Sequence, residues 1–273
     1  MNRRQQLATI FADTQDFIAS TPALKQAANA SAQATLLIDG EVTPELGEPT
    51  RAGEIVVTDR RSFQSARAIH EARPDARICV LNFASPTNPG GGVVTGSSAQ
   101  EESLCRCSTL YATLNQKRLE REFYGHNRAS RNPLATDDCI WSPSILVIKS
   151  DTELPERLPE EEWFSVDVLT CAAPNLHLLG RDIDELHLTE LFTLHRRRAR
   201  QIMRVAASRG ADCLVTGAFG CGAFKNDPYL VASAWHEELR DLRGQFDLVE
   251  FAVFHMPYEQ VNYDAFVDEF AEA

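Results

Sequence analysis

The stretch "RICVLNFASPTNPGGGVVTGSSAQEESLCRC", residues 77–107, decides the fold. It opens on a near-continuous apolar run, "RICVLNFAS", the pattern of a strand covered on both faces of its sheet. It then crosses a loop with three consecutive glycines, Gly90, Gly91 and Gly92, and enters a helix at "QEESLCRC". Strand, bare loop and helix in this order belong to α/β proteins, where ligands collect at the carboxyl ends of strands. Glycine lacks the Cβ that would hold a ligand away, and successive main-chain N–H groups can form an anion-binding concavity. The plainer alternative is that these glycines serve tight turns.

Outward from this stretch, strands and helices alternate. Residues 3–19 carry a helical apolar stripe through Leu7, Ile10, Phe11, Phe17 and Ile18. "ATLLIDG" and "EIVVTDR" predict strands, residues 39–53 a surface loop, and "SFQSARAIHEARP" a helix from Ser62 that stops before Pro74. After the glycine loop, "QEESLCRCSTLYATLNQKRLE" predicts one helix with Leu104, Leu110, Tyr111 and Leu114 on one side. "REFYGHNRASRNPLATDD" has weak periodicity and reads as irregular. "ILVIKS" and "FSVDVLTCAAP" predict buried strands around an acidic, proline-containing surface segment at 151–162. A long helix is expected over "ELHLTELFTLHRRRARQIMRVAASRG", closed by Gly210. "DCLVTGAFG" runs from a strand into a second glycine loop, "GAFGCGAF"; "DPYLVASAWHEELRDL" is a helix with Pro228 in its first turn, and "LVEFAVFH" a last strand. The layout predicts an α/β fold with a largely parallel, helix-covered sheet.

Composition narrows the function. A formal net charge of −12 over 273 residues argues against broad nucleic-acid binding, which relies on clustered Lys and Arg. It leaves room for an anionic ligand gripped by backbone donors. No apolar run approaches the 18 or so residues of a membrane span. The first twenty residues read as an amphipathic helix rather than a secretory leader, because Asp13, Gln15 and Asp16 interrupt their apolar positions. Seven cysteines fit reduced thiols in a cytoplasm better than a disulfide framework.

The glutamates carry the chemistry. Glu101 and Glu102 fall in the first turn of the predicted helix, where the dipole favours the charged form, whereas a general acid must hold its proton near neutrality. Adjacent residues point about 100° apart on a helix, so this pair does not flank a scissile bond as the two acids of ordinary glycosidases do. One should do the chemistry while its neighbour orients it or the substrate. "GAFGCG" does not match G-x-G-x-x-G, and no G-x-x-x-x-G-K-[ST] is present, so the familiar nucleotide motifs are unsupported.

"NPGGG", seven residues, then "QEE" resembles the signature of the poly(ADP-ribose) glycohydrolases, and "ASPTNPGGGVVTGSSAQEESLCRCSTLY" resembles their bacterial-type branch. Similarity extends to "DVLTCAAPN" and "VTGAFGCGAFKNDP", spanning most of residues 75–256. The resemblance implies a macrodomain-like mixed, mostly parallel sheet between helices, with an N-terminal helical extension at 1–50 packed on a catalytic domain at 51–273. It implies that Gly90, Gly91 and Gly92 line a diphosphate site, that Gln100, Glu101 and Glu102 form the catalytic stretch, and that Asn88 contacts ribose. Glu102 would protonate the departing ribose oxygen and then assist water, while Glu101 holds ribose hydroxyls. Gly217, Gly220, Cys221, Gly222 and Ala223 would wrap the diphosphate, and Phe224 would pack on the distal ribose. The implied reaction releases ADP-ribose from the polymer end and needs no metal and no cofactor. Two alternatives are a hydrolase of mono-ADP-ribosyl adducts and a non-catalytic ADP-ribose-binding module; the intact acid pair counts against the second.

Other motifs carry less. The thiols of Cys105 and Cys107 diverge on a helix and have no second Cys/His pair at metal-site spacing. Cys221 reads as a small loop residue. "HRRRAR" at 195–200 reads as a solvated helix face rather than a polymer-steering patch. His126, His177 and His255 have no nucleophile motif beside them, and Trp141, Trp163 and Trp235 read as core or edge residues.

Overall fold

The computed structural model describes residues 2–40, 44–179 and 188–271. Helices α1 (Arg3–Ser20) and α2 (Pro22–Ala34) precede strand β1 (Leu36–Ile38). Then come β2 (Glu54–Thr58), α3 (Ser62–Ala72), β3 (Ile78–Phe83), α4 (Gln100–Cys107), α5 (Leu110–Leu114) and α6 (Lys117–Leu119). A π-helical turn (Glu120–Gly125) leads into α7 (His126–Ser130), β4 (Cys139–Val147), β5 (Phe164–Cys171) and α8 (Leu176–Leu179). The chain finishes through α9 (Leu188–Ser208), β6 (Cys213–Thr216), α10 (Pro228–Leu242), β7 (Leu248–Ala252) and α11 (Val261–Phe270).

Seven strands lie in the order β1-β4-β5-β3-β6-β7-β2. The ladders β3–β6, β6–β7 and β7–β2 are parallel, with Ile78 opposite Cys213 and Val56 opposite Glu250. The ladders β1–β4 and β4–β5 are antiparallel. The mixed, helix-flanked sheet expected from the sequence is therefore present.

The chain folds as two compact units that interleave along the sequence. One comprises Met1–Ile38, Asn82–Asn132 and Asp138–Cys171. Its small core forms where α1 and α2 meet the end of β4, with Ile18, Leu24, Ala28 and Ile148 buried together against Phe17, Ala112, Leu146 and Trp163. Helix α2 is Ala-rich with no periodic stripe of large residues, and no pattern in the sequence announced it. Pro22 sets its first turn, and the small Ala28 and Ser31 let it lie close to its neighbours.

The other unit comprises Asp39–Leu81, Pro133–Asp137 and Ala172–Ala273. Phe251 of β7 anchors it, edge-on to Trp235 of α10 and stacked on Phe270 of α11. Asp227 caps α10 by accepting hydrogen bonds from the Tyr229 and Leu230 N–H groups. Gly210 adopts φ +80° after α9, as the helix-stop reading requires. Residues 41–43 of the expected loop and 185–187 of the expected long helix lie outside the described residues.

Four expectations are corrected. The single helix over 100–120 is broken at Ser108, which is extended (φ −148°, ψ 180°). The Ser108 hydroxyl donates to the Leu104 carbonyl and accepts the Leu110 N–H, while the Thr109 N–H is taken by the Leu146 carbonyl. Side-chain bonds of this kind compete with the helix ladder. The segment expected to be irregular is helical over Glu120–Ser130, because buried Phe123 and Tyr124 anchor the π turn and Asn127 Nδ2 donates back to the Phe123 carbonyl. Strand β4 starts at Cys139, six residues before the expected "ILVIKS", and its register shifts between Ser142 and Ile145. That irregularity accommodates Pro143, which cannot donate to a ladder.

The fourth correction concerns "HRRRAR". Arg198 is fully buried and His195 nearly so. Arg198 donates to Asp137 Oδ1 (2.8 Å) and to the carbonyls of Ala172 (2.7 Å) and Leu134 (3.1 Å). Arg197 pairs with the other oxygen of Asp137, and Arg196 and Arg200 pair with buried Glu238. The run is a scaffold built on two buried carboxylates distant in sequence. Removing one partner leaves a buried charge unpaired, so Asp137→Ala is expected to lower unfolding free energy by about 3–5 kcal/mol. Urea denaturation measures this; a loss under about 1 kcal/mol would mean the carbonyls alone hold Arg198.

Candidate active site

The first glycine loop and the acid pair lie within the unit that contains the N-terminal helices. Gly90 and Gly91 have φ values of +67° and +58°, a region that favours glycine. At Gly91 a Cβ would come within 2.5 Å of Glu102 Oε1 and 3.1 Å of Glu101 Oε2. The bare backbone is needed because both carboxylates press against it. The loop then makes a single 3₁₀ turn (Val93–Thr95) and reaches α4.

Both glutamates are buried, at 3% and 6% exposure, although they occupy the first turn of a helix. They diverge as their adjacency requires. Glu101 turns toward the end of β3, where its Oε2 accepts the Ser85 N–H (2.7 Å) and its Oε1 accepts Asn82 Nδ2 (3.3 Å). Asn82 also donates to Thr170 Oγ1 on β5 (3.1 Å). Glu102 turns toward the glycine loop, where its Oε1 accepts the Gly92 N–H at 2.8 Å. Its Oε2 is buried without a hydrogen-bond partner.

Burial settles the balance the sequence left open. It pushes Glu101 from an ordinary 4.5 up to about 8, with the Glu102 charge adding to the rise and the Ser85 and Asn82 donors opposing it. Desolvation outweighs the helix dipole here. With the folded value above the unfolded one, this carboxyl stabilises the fold fully below pH 4.5 and loses that contribution as pH rises through about 8. Glu101→Gln should flatten the fall in stability across this window by up to about 1.4 kcal/mol per pH unit. Urea midpoints at pH 5 and pH 8 check it; parallel wild-type and variant profiles would place the proton elsewhere.

Gln100 Oε1 accepts the Phe83 N–H (2.9 Å), tying the start of α4 to the end of β3. Asn88 is exposed and donates to Thr87 Oγ1. Buried Arg106, one turn beyond Glu102, donates to the Ser97 carbonyl and so holds the far side of the loop. Burial also raises the Cys105 and Cys107 thiols well above their ordinary range.

The second glycine loop belongs to the other unit, after β6. Gly220 has φ +81°, and a Cβ there would meet Ala173 Cβ at 2.5 Å and Asn226 Nδ2 at 2.7 Å. Asn226 spends its amide N–H groups on the carbonyls of Pro174 and Gly220, leaving Oδ1 to accept from His195 Nε2 at 2.8 Å. That assigns the proton of His195 to Nε2. Burial lowers this histidine to about 4, so it stays neutral in its role as a loop support. Gly222 and Ala223 are exposed, Phe224 is half-buried, and Cys221 is buried with its thiol raised by desolvation.

Asn82, Ser85, Thr170, His195 and Asn226 were not singled out from the sequence. Asn82 was the most findable: it is the only polar side chain in "ICVLNF", and a buried amide requires partners.

A buried acid pair near the end of β3, one member fixed by a loop N–H with its second oxygen unengaged, is an arrangement that can support acid–base chemistry. Known proteins supply the family. Residues 11–150 match the family model for the microbial-type PARG catalytic domain. The poly(ADP-ribose) glycohydrolase of Thermomonospora curvata is 32% identical, with 98% of this chain and 100% of that chain covered and a TM-score of 0.83. The same enzyme bound to the inhibitor ADP-HPD gives 33% identity, the same coverage and a TM-score of 0.85. The Deinococcus radiodurans enzyme in complex with ADP-ribose is 34% identical over 89% of this chain and 96% of that chain, with a TM-score of 0.79. No curated protein matches. The chain belongs to the microbial-type poly(ADP-ribose) glycohydrolase family.

Proposed function

We propose that this protein, a poly(ADP-ribose) glycohydrolase by family, hydrolyses the ribose–ribose O-glycosidic bond from the polymer end and releases ADP-ribose. The observation that carries the mechanism is the unequal engagement of the two glutamates. Both oxygens of Glu101 are held by Ser85 and Asn82, whereas Glu102 keeps Oε2 free while Gly92 fixes Oε1. The unengaged Oε2 supports giving proton transfer to Glu102 and the orienting role to Glu101.

In its protonated form Glu102 gives its proton to the bridging oxygen as that oxygen's bond to the anomeric carbon breaks, and the departing chain leaves as an alcohol. The cationic sugar is stabilised by the acid pair beside it. Water then attacks the anomeric carbon and gives its proton to Glu102, which restores the enzyme. Glu101 holds ribose hydroxyls, and Asn88 is a further ribose contact. Gln100 orients the start of α4. Gly90, Gly91 and Gly92 offer backbone donors to the diphosphate; diphosphate contacts are assigned also to Gly217, Gly220, Cys221, Gly222 and Ala223, and the distal ribose to Phe224.

Among the described residues no helix is long and apolar enough to cross a membrane. We place the protein in the cytoplasm, a reading supported by seven buried cysteines, none of them in a disulfide. The deciding experiment is release of free ADP-ribose from purified poly(ADP-ribose). Release that begins at once, without intermediate-length oligomers, supports cleavage from the end; early oligomers would overturn it.

A further inference from the structure

Helix α1 reaches the catalytic loop through a cation that nothing in the reaction itself requires. Arg4 lies on its first turn, ninety-one residues in sequence from Thr95. Its Nε donates to the Thr95 carbonyl (2.8 Å) and its Nη2 to the Thr95 hydroxyl (3.2 Å). That hydroxyl donates in turn to the Gly92 carbonyl (3.1 Å). Gly92 also receives the Thr95 and Ser97 N–H groups on the same oxygen, while its own N–H holds Glu102 Oε1.

We infer that Arg4 is a positioning residue for Glu102, acting through the Thr95 hydroxyl and the Gly92 residue, so that the N-terminal helix forms part of the catalytic apparatus. The inference rests on the assignment of Glu102 as the proton-transferring acid. A hydroxyl that accepts from a guanidinium becomes a better donor, because bonds in a chain polarise one another. Three donors on one carbonyl oxygen set the orientation of Gly92, and with it the N–H that selects which glutamate oxygen stays free.

Further contacts make α1 a rigid platform for this relay. Thr14 Oγ1 donates to the Arg106 carbonyl (2.6 Å), and Phe11 packs edge-on to Tyr111, 4.9 Å between centroids. Tyr111 is the ring that a Cβ on Gly90 would strike. Buried Lys149 donates to the Ile10 carbonyl and pairs with Asp13 (2.7 Å). Gly96 takes φ +80° where the loop passes the Arg4 backbone. Helix α1 thus touches the loop, the catalytic helix α4 and the chain after β4.

Steady-state kinetics on poly(ADP-ribose) test the relay. Arg4 and Thr95 are both exposed, so their substitution leaves the core intact. Arg4→Ala and Thr95→Val should each lower kcat about 5- to 30-fold with KM within about twofold. The double variant should lose no more than the worse single one, since both cut the same relay. Thr95→Ser, which restores the hydroxyl, should recover most of kcat. A merely structural brace would lower thermal stability in all variants with kcat unchanged, or would show additive losses that Thr95→Ser does not rescue. Either result overturns the inference. Glu102→Gln run alongside separates the two readings: if it abolishes turnover while the Arg4 and Thr95 variants do not differ from wild type, only the relay falls. If it retains turnover, the assignment of Glu102 falls and the relay with it.

Discussion

Glu102→Gln is expected to abolish release of ADP-ribose, by about 10³-fold or more in kcat, while ADP-ribose affinity stays within a few-fold of wild type. The amide keeps the shape of the side chain and can still receive the Gly92 N–H through its oxygen. It cannot deliver a proton to the departing oxygen or take one from water. Each half of the reaction therefore loses its acid–base partner, and the uncatalysed protonation of a glycosidic oxygen at neutral pH is too slow to compensate. Binding should persist because Glu102 donates no bond that holds the diphosphate in this assignment. Product release from the polymer and calorimetric titration with ADP-ribose measure the two quantities separately. Turnover near the wild-type rate would remove Glu102 from its role; loss of both quantities together would show that it holds ligand rather than moves protons.

Gly91→Ala carries the second-largest expected effect, a fall in kcat of about 10²-fold or more, though the residue is not titratable. Its φ of +58° lies where L side chains rarely sit, and the added methyl would stand 2.5 Å from Glu102 Oε1. Two relaxations are open, and both damage the site. Either the loop shifts, taking the Gly92 N–H with it, or the glutamate swings away from that donor. A displacement of about 1 Å in a reacting group is enough for such a loss. Stability should change much less, because the loop lies outside the cores described for either unit; a left-handed position costs about 1–2 kcal/mol for a residue with a Cβ. Normal kcat with weakened ADP-ribose binding would mean that Gly91 serves the ligand alone, and that its closeness to Glu102 is incidental.

The two substitutions show why the site was half legible. That a bare loop should lead into a pair of acids could be read from residue types and order: glycines where backbone must approach something, acids in the next first turn. That Gly91 is bare because the glutamates themselves occupy the space is a contact between residues ten or so apart in sequence, and no local rule predicts it. The raised value of Glu101 was illegible for the same reason. The helix dipole acts locally and favours charge, whereas burial, which pushes Glu101 up to about 8, comes from segments far away along the chain.

The basic run at 195–200 failed in the opposite direction. A string of arginines on a helix is a solvated face by default, because a bare guanidinium is costly to bury. Asp137 and Glu238 overturn that default, and nothing near the run in sequence points to either.

What the sequence by itself determined is set by short-range physics. The continuous apolar run made β3, alternation of strands and helices made the α/β sheet, Asp227 and Pro228 opened α10, and glycine allowed the loop. Each depends on a backbone preference or a periodicity contained within a few residues. What only the tertiary structure decided is set by burial and by partners brought from afar. The break at Ser108 exists because the Thr109 N–H finds the Leu146 carbonyl. Arg198 is buried because Asp137 meets it. Arg4 reaches the first glycine loop because α1 lies against residues about ninety positions away. Desolvation and hydrogen-bond satisfaction are properties of a place in the fold, and a place exists only once distant segments have met.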